Sequence, residues 1–239
     1  MFTEVKCAFA DIELDEFDCK KCFCRSDEFN YMTERELEEV ARNKFQVNYN
    51  AGEIIFKQGT QSTHCISFTF GIAKVCVEGR HGETILKLVK PTEFIIGYGM
   101  LFDNMHNYSV SAVTDSSVCF VDFKLIERIL NRNEHFRKAF FTKIQQYNYF
   151  IQARLIDLLS KKNAGRIAGT LLYLSREFYQ SDNFVLHLSR EELKSLCVVS
   201  SDSLSRILNQ FHEAELIKVN GKKMEILNPD ILEKIWLNG

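Results

Sequence analysis

Three cysteines within six residues, Cys19, Cys22 and Cys24, form the densest group of reactive side chains in a chain of 239 residues. Thiolates are soft ligands, and a 4Fe–4S cluster is commonly held by several from a short run together with one remote partner. The same trio suits zinc or thiol redox chemistry, since all three uses need a deprotonated sulfur. Cys22 and Cys24 stand two apart, a spacing at which neighbouring cluster ligands crowd or diverge, and Cys7 upstream could replace one of them. The plainer reading is packing, because free cysteine often behaves as a small buried hydrophobe. A second constellation lies near the C-terminus. Asp202, Ser205, Arg206 and Asn209 recur at helical spacing, with Ser201 beside them, and each can hydrogen-bond a base edge. Arg206 can grip a guanine through two donors at once. Lys218, Lys222 and Lys223 suit phosphates, which position a protein on a duplex without reading its sequence. Here the plainer reading is the solvated side of an ordinary amphipathic helix.

The elements that must carry this second group are legible. Ser189 followed by Glu192 is a capping-box spacing that opens a helix with Leu193 and Leu196 inward. Cys197 to Ser200 reads as a short turn. Ser200 can then cap a helix whose Leu204, Ile207, Leu208 and Phe211 form the buried face. Asn220-Gly221 marks a tight hairpin. Two helices, a turn and a basic hairpin together read as a winged helix-turn-helix, with Ser189, Ser201, Asp202, Ser205, Arg206, Asn209, Lys222 and Lys223 as its candidate DNA contacts.

Upstream, residues 45–123 break into short apolar or alternating runs separated by turn residues such as Asn50-Ala51-Gly52 and Gln58-Gly59. That texture predicts a small antiparallel barrel or jelly roll. From Phe123 to about Ser160 the period becomes helical. Phe140, Ile144, Tyr147, Ile151, Leu155 and Leu158 make a long stripe, equally readable as a seam between two copies of the chain or as core. The fold class expected is therefore α+β, with four parts: a cysteine-bearing arm and helix (1–40), a barrel (41–123), a dimerisation helix (124–160) and the DNA-binding domain (161–239).

Charge is uneven: net −2 overall, with 12 acidic against 5 basic side chains in the first 40 residues. No part is basic enough to announce nucleic-acid binding by charge alone, so a focused face must do it. No apolar run approaches the roughly 20 residues a bilayer needs. The first ten residues lack the apolar core of a secretory signal, so a cytoplasmic location with reduced thiols is expected and no membrane partner.

At this point the chain resembles the CRP/FNR family of bacterial transcription regulators. The resemblance rests on Tyr49-Asn50-Ala51-Gly52-Glu53-Ile54-Ile55-Phe56-Lys57-Gln58-Gly59 at the barrel opening and Leu159-Ser160-Lys161-Lys162-Asn163-Ala164 after the long helix. It rests also on Leu188-Ser189-Arg190-Glu191-Glu192-Leu193 with Ser205-Arg206-Ile207-Leu208. It implies a cyclic-nucleotide-type barrel, a homodimer, double-stranded DNA with an inverted repeat, and RNA polymerase as a further partner. The FNR-like branch carries Glu-x-x-Ser-Arg in its reading helix. Here Asp202 replaces the glutamate, one methylene shorter, so its contact to a cytosine amino group is the one in question.

The resemblance also frames what is sensed. Cyclic AMP binders use a Gly-Glu-Leu run and an arginine before Ser or Thr, whereas this chain has Gly97-Tyr98-Gly99 and Tyr108-Ser109. A phosphate buried without its cation is costly, which disfavours cyclic AMP. Ser117-Val118-Cys119-Phe120-Val121-Asp122-Phe123 resembles the FNR stretch holding the remote ligand, so Cys19, Cys22, Cys24 and Cys119 become candidate iron–sulfur ligands. The family's third cysteine falls instead near Ser26 or Glu28. Haem sensing of nitric oxide or carbon monoxide is the alternative, with His64, His81, His106, Met100 or Met105 as ligands and no spacing that marks any of them; a small organic effector, or none, is another. No Ser/His/Asp spacing, Walker run or GxGxxG is present, so an enzyme is not expected. The competing class is a regulatory sensor module of an enzyme that binds no DNA.

Overall fold

The computed structural model describes residues 19–79, 82–97 and 103–239. Cys7, His81, Tyr98, Gly99 and Met100 lie outside the described residues. The chain divides into two compact units, one containing residues 19–79 and 87–149, the other 82–86 and 150–239.

In the first unit a turn through the cysteines leads into a 3-10 helix, Asp27–Tyr31, and then α1, Glu34–Asn43. Thr33 and Glu36 close the expected capping box at the start of α1. Eight strands follow: β1 Lys44–Tyr49, β2 Ile54–Phe56, β3 His64–Phe70, β4 Ala73–Gly79, β5 Gly82–Val89, β6 Phe94–Ile95, β7 Ser109–Ala112 and β8 Ser116–Asp122. They form two four-stranded sheets, ordered β1-β8-β3-β6 and β2-β7-β4-β5, the jelly-roll arrangement that the run of short strands predicts. Gly71, at φ +86°, turns β3 into β4 so closely under Asp115 that an added Cβ would meet its carbonyl oxygen at 2.2 Å.

Two helices follow, α2 Phe123–Arg132 and α3 Glu134–Ser160. The α3 side chains Phe136 and Phe140 join Phe29, Phe94 and Val121 in a core that lies outside the β1-β8-β3 sheet, between it and the helices. The four phenylalanine rings meet edge-on or tilted at centroid distances of 5.1 to 6.3 Å.

The second unit contains the end of α3, then α4 Asn163–Tyr173, a π-helical turn Leu174–Tyr179 and β9 Asn183–Val185. Next come α5 Arg190–Cys197, α6 Ser201–Glu213, β10 Ile217–Asn220, β11 Lys223–Ile226 and α7 Pro229–Asn238. The hairpin predicted at Asn220-Gly221 is β10–β11, with β9 added to its edge. Helix α7 packs on α4 at Gly169, where a Cβ would meet the Trp236 ring at 2.6 Å. The Trp236 indole donates to Asp157 Oδ2 on α3 at 3.0 Å.

Candidate functional site

Two sites emerge, one in each unit. The first lies on the outer face of the β1-β8-β3 sheet. Alternation along β1 puts Lys44, Gln46 and Asn48 on that face, and antiparallel register sets Gln46 opposite Cys119 and Ser67 opposite Cys119 from the other side. The cysteine-bearing turn packs over these strands. Ser26, fully buried, ties it down: its amide and its hydroxyl both donate to Ser67 Oγ, at 3.2 and 2.8 Å. Arg25 caps the turn itself by donating to the carbonyls of Cys19 and Lys20 and to the Asn30 side chain.

Between turn and sheet is a cavity of about 390 Å³. Cys19, Cys22 and Cys119 line it together with Lys44 and Arg25. Two cysteines of the sequence run and the remote strand cysteine therefore share one space. Cys24 does not share it; it is buried beside the turn at 5% exposure. Its backbone N–H is turned to the Cys22 sulfur. No disulfide joins the described cysteines. Burial pushes the Cys22 thiol up, and pushes Cys119 up to about 11, while the Lys44 ammonium draws both back down.

Does this donor set fit an iron–sulfur cluster? Among the described residues no three His, Cys, Asp or Glu side chains converge tightly enough for a single metal ion. A polynuclear cluster places each thiolate on a separate iron and needs them spread around a cavity. The arrangement here has that form, with a cation beside the thiols to offset an anionic group. The residues fit the cluster. The positions where the family's third cysteine falls are otherwise engaged. Ser26 bonds β3, and Glu28 lies 3.6 Å from the Lys143 ammonium on α3.

The alternative sensors find less support from their residues. Where α3 crosses the barrel, Lys87, Glu93, Tyr108, Lys143 and Tyr147 surround a void of about 30 Å³, far below the several hundred a nucleotide takes. Tyr108, in the place of the phosphate-gripping arginine, donates its hydroxyl to the Ile96 carbonyl at 2.7 Å. His106 is buried with its ring stacked on Phe56 at 3.9 Å, His64 shares a hydrogen bond with Thr63, and Met105 forms a bridge with Gln61.

The second site is α6 with its supporting turn. Ser201, Asp202, Ser205, Arg206 and Asn209 all face outward, while Leu204, Ile207, Leu208 and Phe211 are buried. Ser200 caps α6 by accepting from the Ser203 amide at 3.2 Å. Ser189 is exposed too, but its hydroxyl is engaged in the capping box with Glu192 that starts α5. Lys222 and Lys223 are exposed at the tip of the β10–β11 hairpin. Between the helices Val198 adopts φ +53°, a left-handed conformation costly for a β-branched residue. Two buttresses hold it: Arg166 donates to the Val198 carbonyl at 2.9 Å, and Arg154 of α3 donates to the Leu196 carbonyl. Neither arginine was singled out from the sequence, because their partners are backbone atoms that no motif spells.

The dimer residues need a correction. Phe140 at 0% and Ile144 at 9% exposure belong to the core of their own unit, so they are not available to a second copy. Tyr147, Ile151 and Leu158 are half-buried, and of the six only Leu155 is mostly exposed. The open stripe lies about a third of a turn away, along Phe141, Gln145, Tyr149, Gln152, Ile156 and Leu159. Tyr149, Ile156 and Leu159 are 76%, 62% and 80% exposed. Helix α3 is apolar on two sides, and periodicity alone does not distinguish the buried side from the open one.

Comparison with known proteins agrees with this architecture. Residues 46–133 match the cyclic nucleotide-binding domain family, and residues 165–235 match the Crp-like helix-turn-helix domain family, together more than half of the chain. The transcriptional activator protein Anr of Pseudomonas protegens is 26% identical over 221 residues, covering 88% of this chain and 89% of that protein. The fumarate and nitrate reduction regulatory protein of Vibrio cholerae is 23% identical over 198 residues, covering 81% and 78%. The structure of FixK2 from Bradyrhizobium japonicum shares the fold with a TM-score of 0.73 at 17% identity, covering 80% of this chain and 96% of that one. A sensor-type jelly roll, a long helix and a winged helix-turn-helix define a DNA-binding transcription regulator. The chain belongs to the CRP/FNR family, and the relatives agree with its FNR-like branch. Among the described residues no helix is long and apolar enough to cross a membrane.

Proposed function

We propose that the protein is a homodimeric cytoplasmic regulator that couples an iron–sulfur cluster to recognition of an inverted-repeat operator. The cluster would lie in the cavity lined by Cys19, Cys22 and Cys119, and it would supply sensitivity to oxygen or another oxidant. That these thiols, remote in sequence, share one cavity beside Lys44 is the observation that carries the reading. The exposed stripe of α3 would pair with its copy in the partner subunit, and Arg206 with Asp202, Ser205, Asn209 and Ser201 would read bases. Lys222, Lys223 and the N-terminal end of α5 at Ser189 would rest on phosphates. The sensor signal would change the pairing of the two α3 helices and with it the spacing of the two α6 helices. RNA polymerase would be met by the DNA-bound dimer.

Anaerobic purification followed by iron and acid-labile sulfide assays, a visible spectrum and operator binding before and after air exposure tests this. Broad visible absorption with sulfide, and tighter DNA binding before air, is the expected result. A Soret peak would replace the cluster by haem. Colourless protein with equal DNA affinity in both states would remove both cofactors, and substrate turnover without DNA binding would move the chain to the enzyme-module class.

A further inference from the structure

The cysteine turn contains one more thiol than the cavity receives. Cys19 and Cys22 line the cavity, whereas Cys24 is buried without lining it and contributes its backbone N–H to the Cys22 sulfur. Phe23 between them is turned out to solvent, so the turn leaves the two sulfurs in different surroundings.

We infer that the protein holds its cluster through three thiolates, Cys19, Cys22 and Cys119, with Cys24 a packing residue and the fourth iron left to a small oxygen-donor ligand. This rests on the cluster reading above. The remainder of the cavity is polar, walled by Gln46, Asn48, Ser67, Thr69, Ser116 and Ser117, and the four hydroxyls among these are bonded to other protein groups. Buried acceptor Gln46 Oε1 has no partner there, and Gln46 Nε2 donates to Ser117 Oγ at 2.6 Å. A water molecule or hydroxyl-bearing ligand on the iron would give that carbonyl a donor.

The test is anaerobic reconstitution of the full-length chain with iron and sulfide. Cys24→Ser and Cys24→Ala, checked for folding by circular dichroism, should keep the wild-type iron and sulfide content and visible spectrum. Cys7→Ser should keep them too, while Cys19→Ser, Cys22→Ser and Cys119→Ser should each lose them. A cluster in which one iron lacks a thiolate should give up that iron under mild ferricyanide oxidation, seen as the paramagnetic signal of a three-iron cluster. Adding 2-mercaptoethanol to the reduced wild-type cluster should alter its paramagnetic spectrum. Loss of the cluster in folded Cys24→Ala or in Cys7→Ser would overturn the inference and leave the cluster reading intact. Wild-type protein that takes up no cluster at all would overturn the reading itself.

Discussion

In the proposed interface Arg206 would carry most of the base reading. It is exposed on α6, and its guanidinium makes a 3.5 Å contact to Gln210, easily exchanged for a base. Arg206→Ala should cost roughly 1–3 kcal/mol against the cognate operator and relax preference at one base position, as competition with single-base operator variants would show. Lys222→Ala with Lys223→Ala should instead weaken all sequences alike and flatten the salt dependence of binding by about two counterions. In the sensor unit, burial holds the His106 imidazole below its ordinary value of 6.5. The unfolded chain then binds that proton more readily, so the stability His106 confers is present above about pH 6.5 and is lost as pH falls through the folded value. Urea titrations between pH 7.5 and 5 should show this decline, and His106→Phe, which keeps the stack on Phe56, should lessen it. An unchanged slope in that variant would assign the decline to other groups.

At the level of elements, the turn between α5 and α6 is held against its own conformational preference. Val198 sits in the left-handed region between two carbonyls gripped by Arg154 and Arg166. Val198→Gly should stabilise the second unit by on the order of 1 kcal/mol, the relieved strain exceeding the added chain entropy, and chemical denaturation at constant m-value measures it. Gly169→Ala should do the reverse by roughly 1–3 kcal/mol, because α4 and α7 cannot separate without losing the Trp236 contact. The helices of this unit could be read from the sequence since their signals are local: Ser189 with Glu192, Ser200, and the spacing of Leu204, Ile207, Leu208 and Phe211. The barrel was legible from its turn residues. What escaped is non-local. The polar face of β1 is written in the alternation Lys44, Gln46, Asn48 against Phe45, Val47, Tyr49, yet nothing in β1 says that a cysteine turn covers it. The strained Val198 and its two arginines are likewise joined only by folding.

For the whole molecule, the exposed α3 stripe is the surface on which the proposed pairing of two copies would depend. Ile156→Glu places like charges across a two-fold seam and should yield a monomer by light scattering that retains the circular dichroism of the wild type. Such a monomer should bind a single half-site weakly and lose the preference for two half-sites about one helical turn apart. A dimer of undiminished strength would locate the seam elsewhere on the chain. The chain's one tryptophan has a consequence here. Trp236 is hydrogen-bonded to Asp157 near the end of α3 and pressed on Gly169 of α4, so the molecule carries a single indole in its DNA-reading unit, excitable at longer wavelengths than its eight tyrosines. Its emission colour and quenching by iodide report on that joint without any label, and they can be followed in real time as oxidant or operator is added.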